Sequence, residues 1–179
     1  MAKIYVSSSW TNHFQSMLVE ELRQRGHEVY DFRHPNGRND RNVWDENGVS
    51  SQLFEGGISG FEMKKALADS KAQKRFREHF AAMRDADTCV LFLPCGRSAH
   101  IEAGYMKGLG KRVFVFGSAF DIIKPELMYL TFDGFFCLYD ELFQALDKSI
   151  TDKDSSQSSC PGRLKKIWNN ILKNIYKQK

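Results

Sequence analysis

The run Thr88-Cys-Val-Leu-Phe-Leu93 carries no charge and no turn residue between Asp87 and Pro94. An apolar run of this length reads as a strand covered on both faces, and such strands belong to parallel sheets sandwiched by helices. The rest of the chain fits that frame. Lys3–Val6 is a short apolar β run ending in Ser7-Ser8-Ser9. Thr11 or Asn12 can cap a helix whose apolar residues include Phe14, Met17, Leu18 and Leu22 and which stops at Gly26. His27–Phe32 is the expected second strand. Arg112–Phe116 and Phe135–Leu138 are the expected fourth and fifth.

Helical segments separate these strands. Ser59-Gly60-Phe61-Glu62 has the form of a capping box, and helical spacing continues to about Ala86 with a break near Ser70. Pro94-Cys95-Gly96-Arg97-Ser98 is a tight loop before a helix over Ala99–Leu109, which Gly110 ends. Gly104 and Gly108 share a face of that helix, where close approach to the sheet is expected. Pro125 suits the first position of a short helix, and Asp140 the cap of a last one over Glu141–Ile150. Residues 33–58 form a long connection rich in Pro, Asn, Gly and Asp, as functional or mobile loops are.

Alternating strands and helices give an α/β fold, a doubly wound five-stranded parallel sheet of flavodoxin or Rossmann-like type. Ligands of such sheets bind where the strand order reverses, at the C-terminal ends of the first and third strands. Those ends are Ser7–Trp10 and Pro94–Ser98.

Residues 1–150 form the expected domain and 151–161 a polar linker by composition. Residues 162–179 form an extra amphipathic C-terminal helix, with Leu164, Ile167, Trp168, Ile171, Leu172, Ile175 and Tyr176 on one stripe. The net charge of +4 is uneven: residues 151–179 hold seven Lys/Arg and two Asp/Glu, leaving −1 for residues 1–150. The domain's charge therefore gives no reason to expect nucleic acid. The basic stripe suits docking on its own domain or an oligomer interface, contact with an acidic membrane surface, or a protein partner. Cys89, Cys95, Cys137 and Cys160 match no zinc spacing, and no metal or cofactor is expected. Cys89 and Cys137 read as buried thiols. With no signal-peptide pattern and no membrane-length apolar run, a cytoplasmic protein is expected.

Chemistry concentrates in Asp87–Lys111. A buried strand enters a Gly/Ser loop and then a helix bearing Glu102 in its first turns. With Ser98 as cap, the helix dipole favours an ionised Glu102, and a carboxylate beside a crevice suits attack on a sugar anomeric carbon. A first-turn Glu also serves as a plain dipole partner, and Ser98 as a plain cap.

The chain here resembles the nucleoside 2-deoxyribosyltransferase-like superfamily, which includes nucleoside monophosphate N-glycosidases. The resemblance covers about residues 3–150. It rests on Lys3-Ile-Tyr-Val-Ser-Ser-Ser-Trp10, on Ala86-Asp87, and on the small-residue loop followed by Glu102-Ala103-Gly104 and Gly110-Lys111. It implies cleavage or transfer at the bond between base and sugar through a covalent glycosyl intermediate on Glu102. The partner would be a small nucleoside or nucleotide, and the assembly a homo-oligomer whose neighbouring subunit completes the site. Two departures stand out. The family's aspartate before the third strand falls on His79, next to Glu78, and His can donate a proton near neutral pH. The family's Asp-Gly-Thr or Asp-Gly-Ser is here Gly96-Arg97-Ser98, which leans toward a phosphorylated ligand.

The expected catalytic pair is thus Glu102 and His79. The expected ligand cradle is Ser7, Ser8, Ser9, Trp10, Trp44, Gly96, Arg97, Ser98 and His100. Each has a plainer reading: the serines as a polar turn, the tryptophans as packing, the histidines as surface or half-buried helix residues. Asp87 reads as the end of an element rather than a catalytic group. Two other functions fit the sequence: cleavage of the nicotinamide bond of NAD, and nucleotide sensing without turnover, with the tail recruiting a membrane or partner.

Overall fold

Side chains of a strand alternate between the two faces of its sheet, so the apolar residues of each central strand must find cover on both sides. The computed structural model, which describes residues 1–39, 57–119 and 123–147, provides that cover. The elements in chain order are β1 (Lys3–Ser7), α1 (Gln15–Gln24), β2 (Glu28–Tyr30), a 3-10 turn (Pro35–Gly37), α2 (Gly60–Leu67), α3 (Ser70–Asp85) and β3 (Thr88–Phe92). There follow α4 (Arg97–Gly108), β4 (Arg112–Phe116), a 3-10 turn (Leu127–Thr131), β5 (Gly134–Phe136) and α5 (Tyr139–Asp147). The strands form one sheet in the order β2-β1-β3-β4-β5, parallel at every pairing.

Two cores result. Ile4, Val6, Val90, Phe92, Phe114 and Phe116 point toward Leu18, Val19 and Leu22 of α1 and Leu142, Phe143 and Leu146 of α5. Their strand neighbours Tyr5, Cys89, Leu91, Val113 and Val115 point the other way, toward Met83 of α3 and Ala99, Ala103 and Met106 of α4. β3 is buried along its whole length, as its unbroken run requires. The doubly wound parallel sheet read from the sequence is therefore the observed fold.

Several local expectations hold in detail. Ser59 and Glu62 form a reciprocal capping box at α2. The break near Ser70 is real, because Asp69 caps α3 through Lys71 N and Ala72 N. Gly26 and Gly110 both take positive φ just beyond their helices, the conformation glycine permits at a helix end.

Others are corrected. α4 begins at Arg97, with Gly96 as cap and no side-chain cap bond, so Ser98 lies inside the first turn. Gly104 and Gly108 do not face the sheet; a Cβ added at either would meet nothing within 4 Å. The stripe at Ala99, Ala103 and Met106 faces it instead. Pro125 precedes the second 3-10 turn, which is capped by the Glu126 carboxylate on Met128 N. α1 starts only at Gln15, because Asn12 spends its carbonyl on Phe14 N and its amide on neighbouring loops. Asp140 sits within the first turn of α5 rather than ahead of it. Cys137 is exposed, since the short edge strand β5 ends at Phe136. Trp44, the linker 151–161 and the helix expected over 162–179 lie outside the described residues.

Candidate active site

Strand alternation decides which side chains meet at the switch point. Ile4 and Val6 face α1, so Tyr5 and Ser7 must face α4. Glu102 rises from α4 to meet them. The fully buried Ser7 Oγ lies against Glu102 Oε2 and, at 3.2 Å, against the carbonyl of Ala99. The Tyr5 phenol is also fully buried. Its Oη meets no partner at full hydrogen-bond geometry, yet it lies close enough to the Glu102 carboxylate for the two groups to interact.

Burial sets the electrostatics of this cluster. It pushes the Glu102 carboxyl above its ordinary range, against the smaller opposing pull of Ser7 and Tyr5. The expectation of a dipole-favoured carboxylate is thus corrected: Glu102 is the sixth residue of its helix, beyond the turn where the dipole acts strongly. Burial, then the charge of Glu102, raises Tyr5 well above a free phenol. Cys89 is raised for the same two reasons, and Cys95 to about 12.

His79 approaches by way of an aromatic row. Tyr5 stacks on Tyr30, with centroids 5.4 Å apart. His79, from α3, meets Tyr30 edge-on at 6.0 Å and Phe32 at 6.5 Å. Trp10 packs edge-on against Phe32 at 5.2 Å. His79 thus meets the Tyr5–Tyr30 stack through Tyr30, and Glu102 meets it through Tyr5. Neighbouring Glu78 pairs with Arg38 at 3.1 Å.

The two switch-point loops are tied together. Ser8 Oγ donates to Phe92 O at 2.9 Å and accepts from Asn12 Nδ2 at 3.0 Å, and the same amide donates to Leu93 O at 3.2 Å. Arg33, just beyond β2, donates through Nη2 to the carbonyls of Ser9, Trp10 and Asn12 at 3.0, 2.7 and 2.9 Å. Beneath it, buried Asp31 accepts from Gln15, from the Arg33 amide and from His34. Between the loops opens a cavity of about 260 Å³ lined by Ser9, Thr11, Pro94, Cys95 and Gly96. No side chain caps the first turn of α4 at its rim, so its amides are available to an anion.

His100 closes the α4 side. Its Nδ1 lies 2.9 Å from Gly96 O and its Nε2 2.9 Å from Tyr129 Oη. A carbonyl only accepts, so Nδ1 carries the proton, and in the neutral ring Nε2 accepts from Tyr129. The phenol keeps its proton to supply that bond, since burial pushes Tyr129 up to about 12.

The structure thus brings Ser7 and Glu102 into contact and places Ser9 and Gly96 in the cavity wall. Ser8 and His100 hold loops, Trp10 packs on Phe32, and Arg97 and Ser98 are exposed on the first turn of α4. Tyr5, Asn12, Arg33 and Tyr129 are contributors that sequence reading missed as site residues. For Tyr5 a signal existed, because alternation puts it on the face of Ser7. Among the described residues, no group of three or more His, Cys, Asp or Glu side chains could hold a metal ion, and no helix is long and apolar enough to cross a membrane.

No family model matches this chain, and no curated protein does. Solved structures do. A 2-deoxyribosyltransferase from the psychrotolerant bacterium Bacillus psychrosaccharolyticus is similar over 88% of this chain and 100% of its own, at 18% identity and a TM-score of 0.52. A CMP N-glycosidase of Clostridium botulinum is similar over 81% of this chain and 98% of its own, at 13% identity and a TM-score of 0.45. The order β2-β1-β3-β4-β5, with its crevice between β1 and β3, is thus carried on a fold shared with 2-deoxyribosyltransferase.

Proposed function

We propose that this protein breaks the N-glycosidic bond of a nucleoside or nucleoside 5′-monophosphate, with Glu102 as nucleophile. The observation that carries this reading is the Glu102 carboxyl, half-buried at the switch point against Ser7 and Tyr5. In the ionised form its oxygen attacks the anomeric carbon. A C–O bond forms as the C–N bond breaks, and the electron pair leaves on the base nitrogen. His79 supplies the proton that the departing base takes up. Water, or a second base, then displaces the sugar from Glu102, as in a retaining glycosidase.

The cradle is Ser9, Gly96, Arg97 and Ser98, where an exposed guanidinium and the open first turn of α4 suit a 5′-phosphate. Trp10 and Phe32 wall the side where a planar base would lie. Exposed Ile101, Leu127, Met128 and Leu130 flank the His100–Tyr129 contact in sequence and suit self-association.

The test is base release from nucleosides, nucleoside monophosphates and NAD, with and without an acceptor base, comparing wild type with Glu102→Ala. Release that disappears in the variant supports the reading, and acceptor dependence separates transfer from hydrolysis. Nicotinamide as the only product would move the substrate to NAD. A Glu102 carboxyl that burial pushes above its ordinary range also suits a second reading, a nucleotide sensor. Ligand binding without release from any substrate would favour that.

A further inference from the structure

The Ser7 hydroxyl has one proton and, within reach, two oxygens that can take it: the Ala99 carbonyl at 3.2 Å and the Glu102 carboxyl. A carbonyl cannot donate. Both contacts are full two-centre hydrogen bonds when Glu102 carries a proton, gives it to Ser7 Oγ, and leaves the Ser7 proton for Ala99. If Glu102 is ionised, Ser7 must turn its single proton to the carboxylate and give up Ala99. We infer that Ser7 is a positioning residue that links the protonation of Glu102 to its own hydroxyl rotamer. This rests on the glycosidic reading only in taking Glu102 as the nucleophile.

The surroundings agree. The groups electrically coupled to Glu102 are Tyr5 on β1, Cys89 on β3 and Cys95 beyond it, all acids that burial keeps in their neutral forms. On α4 itself, Arg97 is exposed and His100 is committed to Gly96 and Tyr129. From α3, His79 faces Tyr30 and Phe32. Among the described residues no cation offsets the burial of Glu102, so burial disfavours the anion and the Ser7 hydroxyl opposes that effect. Ionisation sends the Glu102 proton to water through the open crevice. The Ser7 proton then moves from Ala99 to the carboxylate. The attacking form of Glu102 is thus also the form that Ser7 holds in place.

The test is a carbon-13 NMR titration of the full-length, ligand-free protein labelled at glutamate carboxyls, with the Glu102 signal identified by its loss in Glu102→Gln. The expected wild-type midpoint lies above the ordinary glutamate value of about 4.3. Ser7→Ala removes a donor from the anion and should raise the midpoint by about one further unit. Ser7→Thr, which restores a hydroxyl, should return it toward wild type. A wild-type midpoint at or below the ordinary value, or one unmoved by Ser7→Ala, overturns the proposal. The titration needs no substrate, so it decides the matter even if no base is ever released. Where base is released, the acid limb of kcat/KM should shift with the NMR midpoint.

Discussion

The two ends of the sheet use polar side chains in opposite ways. At the N-terminal end, Lys3 pairs with Asp85 at 3.0 Å, Asp87 accepts from the Lys3 amide at 3.1 Å, and Lys111 donates to the carbonyls of Arg84 and Ala86 that finish α3. Each charge there meets a partner of opposite polarity. At the C-terminal end, the partners of Glu102 among the described residues are the hydroxyls of Ser7 and Tyr5, and burial pushes its pKa up. The first arrangement fastens a helix to a strand. The second leaves a carboxyl whose charge the fold disfavours, and in the proposed reaction a developing cationic sugar centre would offset that penalty. The difference also divides the sequence resemblance: Asp87 and Lys111 are fastenings, and Glu102 is the residue proposed for chemistry.

The contrast can be broken most severely at Glu102. Glu102→Gln should lower base release by about 1,000-fold or more while ligand binding persists, as assay and calorimetry would record. A mild loss would return Glu102 to the category of Asp87. Next is Arg33, whose guanidinium holds three loop carbonyls. Arg33→Ala should cost about 2 kcal/mol in denaturant unfolding and speed hydrogen exchange across residues 8–12. Tyr129→Phe deprives His100 Nε2 of its donor and should cost about 1 kcal/mol, with a few-fold loss of activity. Lys3→Ala, at the opposite end and exposed, should leave both the unfolding midpoint and activity close to wild type.

A pH experiment sharpens the same contrast. Burial raises the folded-state pKa of Glu102 above its ordinary value. Its contribution to stability is therefore fully present below that value and lost as pH rises through the folded pKa. Asp31 has the opposite sign: its pKa is lowered because the bonds from His34, Gln15 and Arg33 together outweigh burial, the largest single influence. Its contribution is present above its unfolded pKa and lost as pH falls through the folded one. Glu102→Gln should accordingly gain stability relative to wild type as pH rises from 4 toward 8 in urea titrations. A constant difference would mean that the carboxyl is not penalised by burial.

The sheet order and both helical layers were legible because apolar periodicity encodes them directly. β3 is the clearest case, since a strand buried on both faces has nowhere to place a polar residue. Strand ends were overextended at His27–Phe32 and Phe135–Leu138, where apolar residues continue past the last ladder bond. Glu102 was legible through its loop–helix context, and Ser7 through topology. Arg33 and Tyr129 were not, because their roles depend on carbonyls and rings distant in sequence, which no local pattern announces. Ser98 misled for a different reason: a residue with ideal capping chemistry was passed over because Gly96 turns the chain two residues earlier.

The alanines of α4 have a consequence for how much change this protein tolerates. Ala99 and Ala103 are the spacers on which the helix rests against the sheet, and neither has room to spare. A larger apolar residue at either would be ordinary core chemistry and would lift the helix by a fraction of an ångström. Glu102 rides on the same helix, so the lift would draw it away from Ser7. Substitutions that enlarge the core would therefore detune the carboxyl first, so the repertoire at these two positions is narrower than their burial alone would suggest.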